Sequence, residues 1–232
     1  MRAAADVDDA VRAARAAFPM WRRTPAPERA RVLFRLHRLL LDNKEELART
    51  LTREHGKVLA ETRGEVQRGI ENVEHACGIP TLMMGDTVEE IASGIDSASW
   101  RQPLGVFAVI TPYNFPVMIP LWFWPYAVAA GNTVVLKPAE FTPLSALLFA
   151  ELAHEAGLPP GVLNIITGDG KTGAALVEHQ GVDKIAFTGS TEVGKIIRRA
   201  TAGSGKKLSL ELGDRKSTRL NSSHVRTSRM PS

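Results

Sequence analysis

The sequence predicts an α/β fold, a doubly wound parallel sheet with a helical N-terminal segment and a small β-hairpin arm. Two observations carry this. From Gly105 onward, short apolar runs at 105–111, 132–137, 162–167, 184–188 and 207–212 alternate with helical stretches near 116–130, 142–156, 171–179 and 191–202. Strands that are apolar on both faces and separated by helices of this length indicate parallel βαβ units with right-handed crossovers. Residues 3–79, by contrast, place apolar residues at helical spacing almost throughout.

Taken in order, Asp6 is positioned to cap an Ala-rich first helix ending near Phe18. Pro25 and Pro27 then interrupt, and Pro27 suits the first turn of a second helix. There Val32, Leu33, Leu36, Leu39, Leu40, Leu47 and Leu51 form one apolar face, with Arg, Glu and Lys on the other. A third amphipathic helix spans about Val58 to Cys77. In it Val66, Ile70, Val73 and Cys77 share a face, so Cys77 reads as a small core residue. Residues 85–101, punctuated by Gly and Ser, read as a β-hairpin.

Composition narrows the function classes. The chain has 232 residues, a single cysteine and a net charge of +4, from 29 Lys+Arg against 25 Asp+Glu. One cysteine permits no internal disulfide and no cysteine-based zinc site, and no histidines have metal-ligand spacing, so a reducing, cytoplasmic setting is expected. The longest apolar stretch, Val117 to Ala130, is too short for a bilayer span and contains Pro120 and Pro125, and the acidic start lacks a signal-peptide core. Residues 214–232 are rich in Ser, Arg and Thr without apolar period, the composition of a disordered tail. They hold five basic residues and one acid, which leaves 24 of each sign in positions 1–213. The basicity that would suggest nucleic-acid binding therefore belongs to the tail, and neither a nucleic-acid nor a membrane partner is expected.

In a doubly wound sheet, ligands sit beyond the carboxyl ends of the strands, and three such ends compete as phosphate or nucleotide sites. Gly168-Asp-Gly-Lys-Thr-Gly173 is a formal GxGxxG opening a helix, but the next strand lacks the acidic residue that would hold a ribose. Gly189-Ser-Thr-Glu-Val-Gly-Lys195 fits GxxxxGK but continues with Ile196, where a P-loop needs Ser or Thr for magnesium. Ser190 there is a good helix N-cap. Lys137-Pro-Ala-Glu140 sets a cation and a carboxylate at a strand end, where the carboxylate could accept both hydroxyls of an adenine ribose. An exposed ion pair is the alternative for that loop.

Together, PLGVFAVITPYNFP (103–116), AAGNTVVLKPAEFTP (129–143), EAGLPPGVLNIITGDG (155–170), FTGSTEVGK (187–195), LSLELG (208–213) and the helical FPMWRRTPAPERARVL (18–33) resemble the aldehyde dehydrogenase superfamily over residues 3–213. The resemblance implies a Rossmann-like domain that binds NAD, with NADP as the alternative, and an oligomerisation arm at 85–101 serving a homodimer or homotetramer. It implies Lys137 and Glu140 on the adenine ribose, Gly189 and Ser190 at the pyrophosphate, and Val193 against the adenine. Ile110 and Thr111 would line the cofactor path, with Gly168 and Gly173 nearby. In this family a cysteine thiolate attacks an aldehyde, and the resulting oxyanion is held by a side-chain amide, here Asn114. Hydride transfer then leaves a thioester, which water activated by a carboxylate, here Glu211, hydrolyses to the acid. Read without the resemblance, Asn114 is a turn-forming residue and Glu211 a strand-end carboxylate.

The family's cysteine lies downstream of LELG, in a second domain not found in this sequence, and after Gly213 the chain leaves the family pattern. The expectation is a truncated, inactive aldehyde dehydrogenase joined to unrelated sequence. Residues 63–80 and the stretch ITPYNFPVMIPLWFWP look most like methylmalonate-semialdehyde dehydrogenases, which pass the acyl group to coenzyme A. Glu211 favours hydrolysis instead. The CoA-acylating enzyme is the alternative, and a non-catalytic dinucleotide-binding fragment is the reading from another class.

Overall fold

The computed structural model describes residues 2–213, and the tail assigned to 214–232 lies outside the described residues. Helices α1 (Arg2–Arg23), α2 (Ala26–Asp42), α3 (Lys44–His55), α4 (Leu59–Ala76) and the single turn α5 (Ile79–Leu82) precede a hairpin of β1 (Thr87–Ala92) and β2 (Ile95–Ala98). The sheet region follows as β3 (Val106–Ile110), α6 (Met118–Ala129), β4 (Thr133–Lys137), α7 (Leu144–Glu155), β5 (Leu163–Ile165), α8 (Gly170–Glu178), β6 (Lys184–Ser190), α9 (Thr191–Ala200) and β7 (Lys207–Gly213).

The five-stranded sheet runs β5-β4-β3-β6-β7 with every pair parallel. Counted from its first strand, that is the order 3-2-1-4-5, so the chain reverses direction across the sheet between β3 and β6. This switch point opens a crevice at the strands' carboxyl ends. Side chains alternate between two apolar cores, as the pleat requires. Phe107, Val109, Val134, Leu136 and Ala186 join α2, α3, α4, α6 and α7 on one face. Val106, Ala108, Ile110, Val135, Ile185 and Phe187 join α1, α8 and α9 on the other. Helix α6 is apolar all round because it lies between the sheet and the α2–α4 layer, and its internal Pro125 is buried there.

Three sequence expectations are corrected. Helix α1 does not end near Phe18 but continues through Pro19 to Arg23, and Asp6 lies within it. An interior proline costs about 3 kcal/mol. Against this, a fully buried Trp contributes about 3–5 kcal/mol, and Trp21 is buried with its Nε1 donating to Val128 O at 2.9 Å. The apolar face from Val32 to Leu51 belongs to two helices. Asn43 breaks it by leaving helical geometry (φ −101°, ψ 12°) and donating from both its backbone N and its Nδ2 to Leu39 O. Because the break is so short, Leu47 and Leu51 still reach the same core. Finally, the 207–212 run, expected to be apolar on both faces, forms β7, which pairs only with β6 among the described residues and is half-buried or exposed, Glu211 included.

The hairpin forms as expected and is exposed along its whole length, including Val88, Ile91 and Ile95. Gly94, at φ +72°, closes the turn between Ala92 and Ile95, where a left-handed residue is needed.

Candidate functional site

A cavity of about 450 Å³ opens at the switch point. Its floor is the carboxyl ends of β3, β4 and β6, and its walls are α8 and α9. Ile110, Thr111, Lys137, Glu140, Gly173, Gly189 and Val193 all line it. Lys137 ends β4 in register with Ile110 of β3. Its side chain is buried, its Nζ donates to Pro138 O at 2.8 Å and lies 3.9 Å from Glu140 Oε2. Burial pulls the Lys137 ammonium below its ordinary value, and the Glu140 and Asp169 carboxylates oppose that shift. Glu140 itself is open to solvent. The hydroxyls of Thr111 and Thr188 are buried without a hydrogen-bond partner among the described residues.

The two glycine loops and the Lys137–Glu140 turn all reach this one cavity, but the two glycine-bearing helix starts are capped differently. Asp169 caps α8, its carboxylate accepting from Lys171 N at 2.9 Å and Thr172 N at 3.4 Å, so that helix start already holds an anion of its own. Gly168 is outside the cavity lining. It has φ +152°, and a Cβ there would meet Thr172 Oγ1 at 2.2 Å, so local packing accounts for the glycine. Gly173 does reach the cavity, where a Cβ would stand 3.6 Å from Lys137 Cδ. Ser190 caps α9 as expected, accepting from Val193 N at 3.3 Å, while Gly189 beside it lines the cavity.

Asn114 and Glu211 lie elsewhere. Asn114 is exposed on the turn from β3 into α6. Glu211 pairs in register with Thr188 and faces a second, open cavity of about 380 Å³ with Asn72, Trp122, Phe123 and Tyr126. The link between the two residues is α6, which follows Asn114 and supplies the aromatic wall around Glu211. Cys77 is buried, donates to Val73 O at 3.2 Å, and has its thiol pushed up to about 11 mainly by burial. This fits a core residue and not a nucleophile.

Sequence reasoning missed Thr188, Phe141 and Ile196 as cavity residues. Each adjoins a residue it had singled out or set aside: Thr188 precedes Gly189, Phe141 follows Glu140, and Ile196 is the residue that spoils the P-loop. Among the described residues, no helix is long and apolar enough to cross a membrane, and no group of three or more His, Cys, Asp or Glu could hold a metal ion.

The sequence matches the model of the aldehyde dehydrogenase family over residues 1–219. It is 53% identical over 203 residues to malonate-semialdehyde dehydrogenase 2 of Geobacillus kaustophilus, an alignment that covers 88% of this chain and 42% of that protein. The methylmalonate-semialdehyde dehydrogenase crystal structure from Oceanimonas doudoroffii superposes with a TM-score of 0.87 at 47% identity, covering 90% of this chain and 43% of that one. A putative methylmalonate-semialdehyde dehydrogenase from Sinorhizobium meliloti 1021, complexed with NAD, superposes at 0.88 with 42% identity, again covering 90% and 43%. The chain thus spans less than half the length of these relatives.

Proposed function

Because the chain belongs to the aldehyde dehydrogenase family, we propose that it is the dinucleotide-binding part of an NAD-dependent enzyme that oxidises a semialdehyde. The observation that carries this is the pairing of buried Lys137 with solvent-facing Glu140 in the switch-point cavity. The residues present fit the cofactor. Two unpartnered threonine hydroxyls and a buried ammonium with one hydrogen bond await polar groups, while Ile110, Phe187, Val193 and Ile196 offer an apolar lining.

On this reading Lys137 and Glu140 take the adenine-ribose hydroxyls, and Glu140 disfavours a 2′-phosphate by charge repulsion. Gly189 lets the backbone at the start of α9 approach the pyrophosphate beside the Ser190 cap, and the helix dipole favours its negative charge. Val193 lies against the adenine, and Ile110 and Thr111 line the path toward the nicotinamide, with Gly173 leaving room beside Lys137. The bound nicotinamide supplies the hydride acceptor. The Asn114 amide donates to the oxyanion formed when a thiolate adds to the aldehyde carbonyl. Glu211, in its aromatic-walled cavity, takes a proton from the water that releases the acid. Cys77 is not that thiolate, and on this reading the nucleophile belongs to the part of the enzyme that this chain does not span.

The malonate- and methylmalonate-semialdehyde relatives favour a short acidic semialdehyde as substrate. They also keep transfer of the acyl group to coenzyme A as the second reading, against which Glu211 stands. The exposed hairpin, with Val88, Ile91 and Ile95 uncovered, is read as the arm joining copies of the enzyme. A single buried cysteine suits a cytoplasmic location. Calorimetric titration of the 232-residue chain with NAD+ and NADP+ tests the central reading. Saturable NAD+ binding with weaker NADP+ binding is expected, and a folded chain that ignores millimolar NAD+ overturns it.

A further inference from the structure

We propose that Lys57 and Glu65 are positioning residues that clamp the turn presenting Asn114, a proposal that rests on the reading of Asn114 as the oxyanion donor. Glu65 lies on α4 in the interior, its side chain 1% exposed. Its Oε1 accepts from Val117 N at 3.0 Å and Met118 N at 3.4 Å, and its Oε2 accepts from Lys57 Nζ at 2.9 Å. Val117, the N-cap residue of α6, contributes no side-chain cap. Glu65 therefore caps α6 from another helix, placing a carboxylate where the dipole favours negative charge. Lys57, in the link between α3 and α4, also donates to the backbone carbonyl of Asn114 and stands 4.1 Å from the centre of the Phe115 ring.

Two side chains more than fifty positions upstream thus hold Asn114, Phe115, Val117 and Met118. The Asn114 side-chain amide, meanwhile, makes no hydrogen bond among the described residues. Stability alone is a weak explanation for such an arrangement, since a buried ion pair is often replaceable by apolar residues of the same volume without loss. Orientation is the stronger one. An oxyanion donor loses effectiveness when its backbone drifts, and the clamp fixes that backbone while leaving the amide free.

The test is residue-resolved hydrogen exchange and amide NMR on the full 232-residue chain. The double variant K57M/E65Q removes the ion pair without stranding a buried charge, and K57R keeps the donor. In the double variant, the amides of Val117 and Met118, which Glu65 holds, should exchange about tenfold or more faster, and the Asn114 side-chain resonances should shift, while β3, β4 and β6 keep their protection. K57R should restore the parent pattern. Unchanged protection at Val117 and Met118 overturns the clamp, and so does a rise spread evenly over the sheet, which would mark a purely structural pair. E65Q alone, which keeps the acceptor for Val117, serves if the double variant unfolds, and it should loosen Asn114 more than Val117. NAD+ binding is read in parallel. Its absence with an intact clamp counts against the functional reading alone, and its presence with no clamp effect counts against the clamp alone.

Discussion

Lys137 and Glu140 face each other at 3.9 Å across the mouth of the switch-point cavity, the lysine side chain 5% exposed and the glutamate 45%. A buried ammonium three residues from an open carboxylate is a poor stabilising pair, because the lysine loses solvation that the exposed partner does not restore. Such an arrangement makes sense as a ligand site whose polar groups are held ready. Glu140→Ala should raise the Kd for NAD+ about tenfold or more, from loss of charge-assisted hydrogen bonds, and should narrow the preference over NADP+. Calorimetry with both nucleotides checks it.

Lys137→Met should abolish nucleotide binding and yet raise the melting temperature. The folded-state value of Lys137 is depressed by burial, so the unfolded chain holds this proton more tightly than the folded one. Between the depressed value and the ordinary value of about 10.4, this group's contribution to stability therefore becomes more favourable as pH rises. The melting-temperature gap between variant and parent should shrink over that window. A gap that widens with pH contradicts the assignment.

Cys77 should resist thiol reagents in the native state. With its thiol pushed up to about 11 and its side chain buried, almost no thiolate is present at pH 8. Colorimetric thiol titration should find one reactive group only in denaturant. Rapid stoichiometric labelling of the native chain would return Cys77 to consideration as a nucleophile.

Gly168 and Gly170 offer a matched pair. Gly168→Ala forces a Cβ into Thr172 at φ +152°, whereas Gly170→Ala, in the first turn of α8, meets nothing within 4 Å. Urea denaturation should show a loss of about 1–3 kcal/mol for the first and little change for the second. Equal losses would mean that the GxGxxG pattern is not governed by packing.

On the hairpin, Val88→Lys and Ile95→Lys should each change stability by less than about 0.5 kcal/mol, because both side chains are exposed. If the arm joins copies of the enzyme, these variants should weaken self-association in sedimentation velocity runs. Unaltered sedimentation of a parent that does self-associate rules the arm out.

Much of the fold could be read from the chain because its signals are local. The five strand runs and four intervening helices follow from apolar period, and Ser190 from its place before an amphipathic helix. The carboxyl-end positions of Ile110, Lys137 and Gly189 follow from the βαβ pattern, so seven of the nine proposed cofactor residues line one cavity. What escaped depended on partners distant in sequence. Trp21 carries α1 past Pro19 by bonding to Val128, 107 positions away.

By itself, then, the sequence determined the α/β class, the alternation that places ligands at one edge, and the residue types available there. It also confined the net positive charge to residues 214–232. Only the tertiary structure decided that both glycine loops share one cavity with Lys137 and Glu140, that Lys137 is buried while Glu140 is not, and that Lys57 and Glu65 hold the turn at Asn114. Backbone period and caps are encoded within a few residues. The burial of a charge, and the partner that satisfies it, exist only once helices from distant parts of the chain have packed.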